Sequence, residues 1–214
     1  MKIGILGYGS LGKQVHYLLK ESTLTEKHQI VIFDDTIASV DVDGIEVQPF
    51  NSVFEHDYKT IEIYVCLGYH HLQFKQILIN ELLAAHYSLP NLAHSSVSIS
   101  KYATLGFGNI LFSGTVIDLF SKVGDGNVFY NNTCIAHDVQ IGNANFFAPA
   151  VTICGNTVIG NTNFLGARTV IANNLSIQDD NKIGIGSVVT KNVASGMSGV
   201  GFPFRTLYKD LNIK

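Results

Sequence analysis

The stretch Val128–Ile153, VFYNNTCIAHDVQIGNANFFAPAVTI, decides the fold. Phe129, Ile135, Ile141, Phe147 and Ile153 stand six residues apart in it. That spacing fits neither a helix, with its period of about 3.6, nor an amphipathic strand, with its period of about 2. Followed outward, the same step runs back through Val123, Ile117, Leu111 and Leu105 to Ile99. It runs forward through Ile159, Leu165, Ile171, Ile177 and Ile183 to Val189. All sixteen positions are aliphatic or phenylalanine, with no insertion, in a chain that is 46% hydrophobic. Chance does not sustain such a run. A period of six is the mark of a hexapeptide β-helix, in which each hexad forms one side of a triangular coil and its apolar residue points inward. Small or polar residues such as Thr115, Asn127 and Asn145 stand four positions on, and glycines such as Gly124, Gly142 and Gly160 follow the apolar residue, as tight corners require. Three hexads complete one turn, so the series predicts about five coils stacked ~4.8 Å apart.

This register singles out one polar pair. His137 is the only histidine between Ile99 and Val193, and Asp138 follows it. His137 lies two residues past the inward Ile135, so its side chain is expected to point away from the prism. One turn of three hexads later comes Gly155, on the same corner of the next coil. Ala167 and Ile185 are likewise one turn apart and stack along a second corner. A polar corner pair is also an ordinary solvated feature of such a helix, and the register alone leaves both readings open.

The first part of the chain is different in kind. It alternates strand-like and helical patterns up to about residue 90, and the composition changes near SLPNLAHSS. The expected domains are therefore 1–94 and 95–214. MKIGILGYGSLGKQVHYLLKE reads as a strand, a turn with Gly7, Gly9 and Gly12, and a helix. QIVIFDD reads as a second strand ending in Asp34 and Asp35, and IEIYVCLG as a third, ending at Gly68 beside His70 and His71. This is the context of a Rossmann-like fingerprint, in which a glycine turn and a helix N-terminus meet a pyrophosphate. Tight strand-to-helix packing alone would also use these glycines. A segment this short cannot hold a complete six-stranded dinucleotide fold, so a nucleotide-sugar suits it better than NAD.

Composition bounds the rest. A net charge of -3 leaves no basic footprint for nucleic acid. No apolar run is long enough to span a bilayer, and MKIGILGYGS lacks signal-peptide architecture, so a soluble cytoplasmic protein is expected. Cys66, Cys134 and Cys154 are odd in number and without CxxC spacing, which argues against disulfides and against a metal site.

Taken in order, GYGSLG, IFDD, VCLG, AHDVQIG and GVGFPFR resemble a family of bacterial sugar acetyltransferases over nearly the whole chain. The family includes the bacillosamine-, viosamine- and perosamine-type N-acetyltransferases, and sialic acid O-acetyltransferases look similar. The resemblance implies a small Rossmann-like βαβ domain followed by a left-handed parallel β-helix, an α/β plus β chain. It implies acetyl-CoA as co-substrate, a nucleotide-linked (UDP- or dTDP-) amino-deoxysugar as acceptor, no metal, and a homotrimer with active sites between subunits. His137 would be the general base and Asp138 its acidic support, with the Gly155 N–H meeting the acetyl carbonyl. Gly9, Ser10, Leu11, Asp34, Asp35, Gly68 and His71 would contact the nucleotide-sugar, and Phe146, Gly155, Ala167 and Ile185 the acetyl-CoA. Phe146 departs from the pattern, because some members carry a second histidine there. The alternatives are transfer to a hydroxyl, a non-catalytic nucleotide-sugar scaffold and an NAD-binding module.

Overall fold

The computed structural model of the chain describes residues 1–22, 28–37 and 44–209. They form two compact units, Met1–Leu92 and Ala93–Lys214.

In the first unit the apolar runs become strands β1 (Lys2–Leu6), β2 (Gln29–Phe33), β3 (Glu46–Gln48) and β4 (Ile61–Val65). Helices α1 (Ser10–Glu21) and α2 (Leu72–Ala84) follow β1 and β4. The four strands are all parallel, in the order β3-β2-β1-β4. Leu6, Val31, Phe33, Ile63 and Val65 bury one face of the sheet against Leu78, Ile79 and Leu82 of α2. The glycine turn after β1 has a steric cause: a Cβ on Gly12 would stand 2.2 Å from the Gly7 carbonyl oxygen, and Gly7 itself has φ +91.

Lys75 breaks the pattern of α2. It lies on the buried face with Leu72, Leu78, Ile79 and Leu82, is wholly buried, and its Nζ has no hydrogen-bond partner among the described residues. Burial pushes its pKa down to about 8, offset only in part by Cys66, whose own thiol burial pushes up to about 12.

The second unit is built from the six-residue series. Each of its short parallel strands, from Ser98–Ile99 to Val188–Val189, is two residues long, and the second is a member of the series. Every third hexad joins the same wall, and the register pairs Phe129 with Phe147 and Ile135 with Ile153. From Leu111 to Val189 the series is buried in one continuous core. Ile99 is 41% exposed and Leu105 half-buried, because each lies in the end strand of its wall and is covered on one side only.

Two devices set the coil's shape. At the corners, every sixth residue from Gly108 to Gly186 has a positive φ, among them Phe120, Asn132, Asp138, Asn156 and Asn174. Inside, Asn109, Asn127, Asn145, Asn163 and Asn181 form a buried ladder. The Asn145 amide N–H and side-chain Nδ2 donate to Asn127 Oδ1 at 2.9 and 3.0 Å, and Nδ2 also donates to the Gly160 carbonyl at 2.8 Å. Asn163 repeats the pattern on Asn145. Each amide thus joins one coil to the next at a position where water cannot substitute.

Asn145→Ala removes the middle rung and leaves the Asn163 N–H without its acceptor, so it should destabilise the chain by about 3 kcal/mol. The urea midpoint measures this, and a loss within experimental error would mean the ladder adds little. Lys75→Met should raise Tm at pH 7. The folded chain holds Lys75 neutral above about pH 8 while the unfolded chain keeps it charged to its ordinary value of 10.5. Unfolded chain therefore binds the extra proton, and parental stability should rise from pH 8 toward 9. Cys66 acts in the opposite sense above its ordinary value of 9.0. Thermal scans at pH 7, 8 and 9 test this: the variant should lose the rise.

Candidate active site

In the second unit the candidate residues follow from the coil. His137 and Asp138 occupy the corner between strands Cys134–Ile135 and Gln140–Ile141. Asp138 takes the left-handed conformation there, at φ 57, which aspartate tolerates better than most residues. Its carboxylate meets the neighbouring imidazole, with Asp138 Oδ2 2.9 Å from His137 Nδ1. The pair is half-exposed, at 50% and 48%. A carboxylate on Nδ1 holds the ring in the tautomer whose Nε2 carries the free lone pair.

Gly155 lies directly against this ring. A Cβ built on it would fall 2.7 Å from His137 Cε1 and 2.8 Å from Nε2. The absent side chain is therefore the space the imidazole uses. The corner backbones are linked as well: Asn156 N–H donates to the His137 carbonyl at 3.2 Å, and Asp138 N–H to the Leu119 carbonyl at 2.9 Å. Gly155 is buried, and among the described residues nothing accepts from its N–H. A free backbone donor beside a basic imidazole is equipped to stabilise negative charge on a carbonyl oxygen while a proton is removed nearby.

Phe146, Ala167 and Ile185 lie elsewhere on the coil. Phe146 is on a different wall, 7% exposed, in a row of rings with Tyr130 at 5.2 Å and Phe164 at 5.9 Å. Ala167 and Ile185 stack on another corner, where Gly186 N–H donates to the Ala167 carbonyl at 2.8 Å and Ile185 is 70% exposed. A single chain brings His137, Asp138 and Gly155 together and leaves these three apart from them.

In the first unit the candidates gather at the carboxyl ends of adjacent strands. Gly9, Ser10 and Leu11 follow β1, Asp34 and Asp35 follow β2, and Gly68 and His71 follow β4. A parallel sheet receives ligands at this edge. Gly9 and Gly68 have open space where a Cβ would be. Ser10 and His71 are exposed, whereas the Leu11 side chain is buried and only its backbone can serve. Both carboxylates also brace the protein itself. Asp34 accepts from the Tyr8 N–H at 2.6 Å and from the Thr36 N–H and hydroxyl at 2.7 and 2.6 Å. Burial pushes its pKa up, but these hydrogen bonds outweigh burial and hold it below the usual value. Asp35 accepts from the Phe50 N–H at 2.8 Å. The resemblance assigns both carboxylates to a ligand, and the local N–H groups compete for them.

One neighbour of the site escaped the sequence reading. Leu119 precedes His137 by one full coil, as Gly155 follows it, and it carries Phe120 at the corner position that Asp138 fills one coil later. The same step of three hexads, taken backward, finds it. Among the described residues no cluster of His, Cys, Asp and Glu is placed to hold a metal ion, and no helix is long and apolar enough to cross a membrane.

No family model and no curated protein sequence matches the chain. Solved structures do. The acetyltransferase domain of PglB from Neisseria gonorrhoeae FA1090 is 24% identical, with a TM-score of 0.88, over 96% of this chain and 99% of that one. PerB from Caulobacter crescentus, solved in complex with CoA and GDP-perosamine, is 23% identical, with a TM-score of 0.84, over 97% and 98%. WeeI from Acinetobacter baumannii AYE is 24% identical, with a TM-score of 0.84, over 97% and 100%. Over nearly its whole length, this chain has the fold of these structures.

Proposed function

We propose that the protein is an acetyl-CoA-dependent N-acetyltransferase acting on the amino group of a nucleotide-linked amino sugar. The observation that carries this reading is the His137 ring seated on Gly155 with Asp138 at its Nδ1. Two structures of similar fold support this reading: the acetyltransferase domain of PglB in complex with acetyl coenzyme A, and PerB in complex with CoA and GDP-perosamine. The first unit would be the Rossmann-like nucleotide-sugar domain, with Gly9, Ser10, Leu11, Asp34, Asp35, Gly68 and His71 around the nucleotide. The coil would wind left-handed, as in the family the chain resembles.

The chemistry is direct transfer. The acceptor amine attacks the thioester carbonyl, and His137 Nε2 takes the proton it sheds, a contribution of roughly 10²–10⁴-fold for a positioned base. Asp138 holds the ring in the accepting tautomer and balances the imidazolium that forms. The Gly155 N–H meets the oxygen on which negative charge develops, worth about 3 kcal/mol in comparable sites. The thiolate then leaves and the amide remains.

The separation of the candidate residues supports a homotrimer with shared sites. Ala167 and Ile185 stand on a different corner from His137, so one long thin cofactor reaches both sets most directly if neighbouring copies present different corners to a common groove. Phe146, inside its row of rings, would then contact the cofactor from a wall rather than from the catalytic corner. A trimer should appear in sedimentation equilibrium, and a monomer would undercut the shared site.

His137→Ala should reduce CoA release by about 10²–10⁴-fold with the best substrate from a panel of UDP-, dTDP- and GDP-linked amino sugars. Unchanged turnover would sink the mechanism, and turnover with hydroxy sugars alone would move the reaction to O-acetylation. Gly155→Ala is the sharper probe, because alanine fits that backbone and the nearest contacts of its methyl are all with the imidazole. It should leave Tm nearly unaltered and lower kcat by about 10²-fold through displacement of the base. Full activity in this variant would mean that the contact between Gly155 and the ring is incidental.

A further inference from the structure

Lys75 lowers the stability of the first unit, and acetyl transfer at His137 does not use it. Its Nζ is wholly buried without a hydrogen-bond partner among the described residues. An amine held in the interior at such a loss marks a functional site when it stands beside a ligand-binding edge.

Lys75 stands at that edge. It is the fourth residue of α2, and helical side chains lean toward the N-terminus. A lysine stem about one helical turn long therefore brings the amine level with the first turn. The amine feels the Cys66 thiol, which directly follows β4. Cys66 N–H donates to the Leu6 carbonyl at 2.8 Å, and a Cβ on Gly7 would stand 3.3 Å from the Cys66 carbonyl oxygen. Lys75 thus lies under the carboxyl ends of β1 and β4, beside the glycine turn. The two helices that begin at this edge are open to an anion. Their N-caps, Gly9 and His71, make no side-chain cap, and neither first turn holds an acidic residue.

The groups facing Lys75 leave its charge unmatched. The strands packed on that face of α2 present apolar side chains such as Leu6, Phe33, Ile63 and Val65. Glu62 and Tyr64 alternate to the opposite face of β4. The titratable groups on the Lys75 side are Cys66, whose thiol burial pushes up to about 12, and Tyr87, which burial also pushes up and whose hydroxyl donates to the Val53 and His56 carbonyls. Both stay neutral below pH 9. At the edge itself Asp34 and Asp35 accept from backbone N–H groups, and His70 and His71 are exposed.

We infer that Lys75 is the counter-charge for the diphosphate of a nucleotide bound at this edge, acting from beneath the backbone rather than by contact, so that nucleotide binding and proton uptake by Lys75 occur together. Water does not screen a charge held in the interior, so a diphosphate favours the ammonium and the ammonium favours the diphosphate by the same amount. Without ligand, burial leaves the amine half charged near pH 8. A bound diphosphate raises that fraction. This inference rests on the nucleotide-binding part of the proposed function.

Titration calorimetry of the intact chain with UDP, dTDP and GDP, run at pH 8.5 in two buffers of different ionisation enthalpy, counts the proton. The nucleotide that binds should carry about half a proton or more into the complex. Its Kd should weaken by about 5-fold or more between pH 7 and pH 9.5. Lys75→Met should abolish the uptake, flatten the pH profile and weaken the same Kd by about 5-fold or more at pH 7, with Kd for acetyl-CoA unchanged within about 2-fold. Lys75→Gln, polar but uncharged, should do the same, which separates loss of charge from repacking by methionine. If both variants keep the parental uptake and affinity, Lys75 is structural and the inference is overturned. A parental Kd that is flat across this pH range overturns it without any variant. If the parent binds none of the three nucleoside diphosphates, the nucleotide reading of the first unit falls and the inference with it.

Discussion

Everything in the second unit depends on one constraint: each coil must hydrogen-bond to the next at a fixed advance of three hexads. Parallel strands two residues long supply little pairing energy individually, so the stack holds only if every rung is in register. The inward apolar series provides the burial, and the asparagine ladder provides the directional part of the link. An inserted residue would place a polar side chain in the core of every later coil. The uninterrupted series is what that constraint looks like in the sequence.

The same constraint brings residues from successive coils side by side. Corners recur at strand spacing, so two residues one turn apart become neighbours without any long loop to hold them. His137 and Gly155 are such a pair. The histidine needs space on its own corner, and the absence of a side chain at Gly155 provides it. Asp138 contributes twice, since its corner position calls for a left-handed backbone and its carboxylate reaches back to the ring. Shape and chemistry are served by one residue.

The first unit follows a different logic. Its parallel strands bring three loops to one edge, and the glycine turn works by close approach, Gly12 packing on the Gly7 carbonyl. Asp34 ties the β2 end to the β1 turn by accepting from the Tyr8 N–H. The cost in this unit sits at Lys75, a buried amine with no hydrogen-bond partner among the described residues.

The coil is legible in the residues alone: its extent, its three-walled register, the outward direction of His137 and the stacking of Gly155 beside it. This is so because the governing interactions are repetitive and local, one inward residue per hexad and one rung per turn. The placing of the first unit's candidate ligand residues at strand ends is legible too, since strand and glycine signals are local. Which polar groups are already engaged emerges only when the chain is folded. Asp34 and Asp35 read as free carboxylates in a list of residues, and they become loop braces once Tyr8, Thr36 and Phe50 are placed around them. The same holds for Phe146, which belongs to a row of rings on another wall, and for Phe120, which takes a left-handed backbone one coil before Asp138. These are properties of what surrounds a residue in space, and a spacing rule carries no information about neighbours that the chain reaches by a different path.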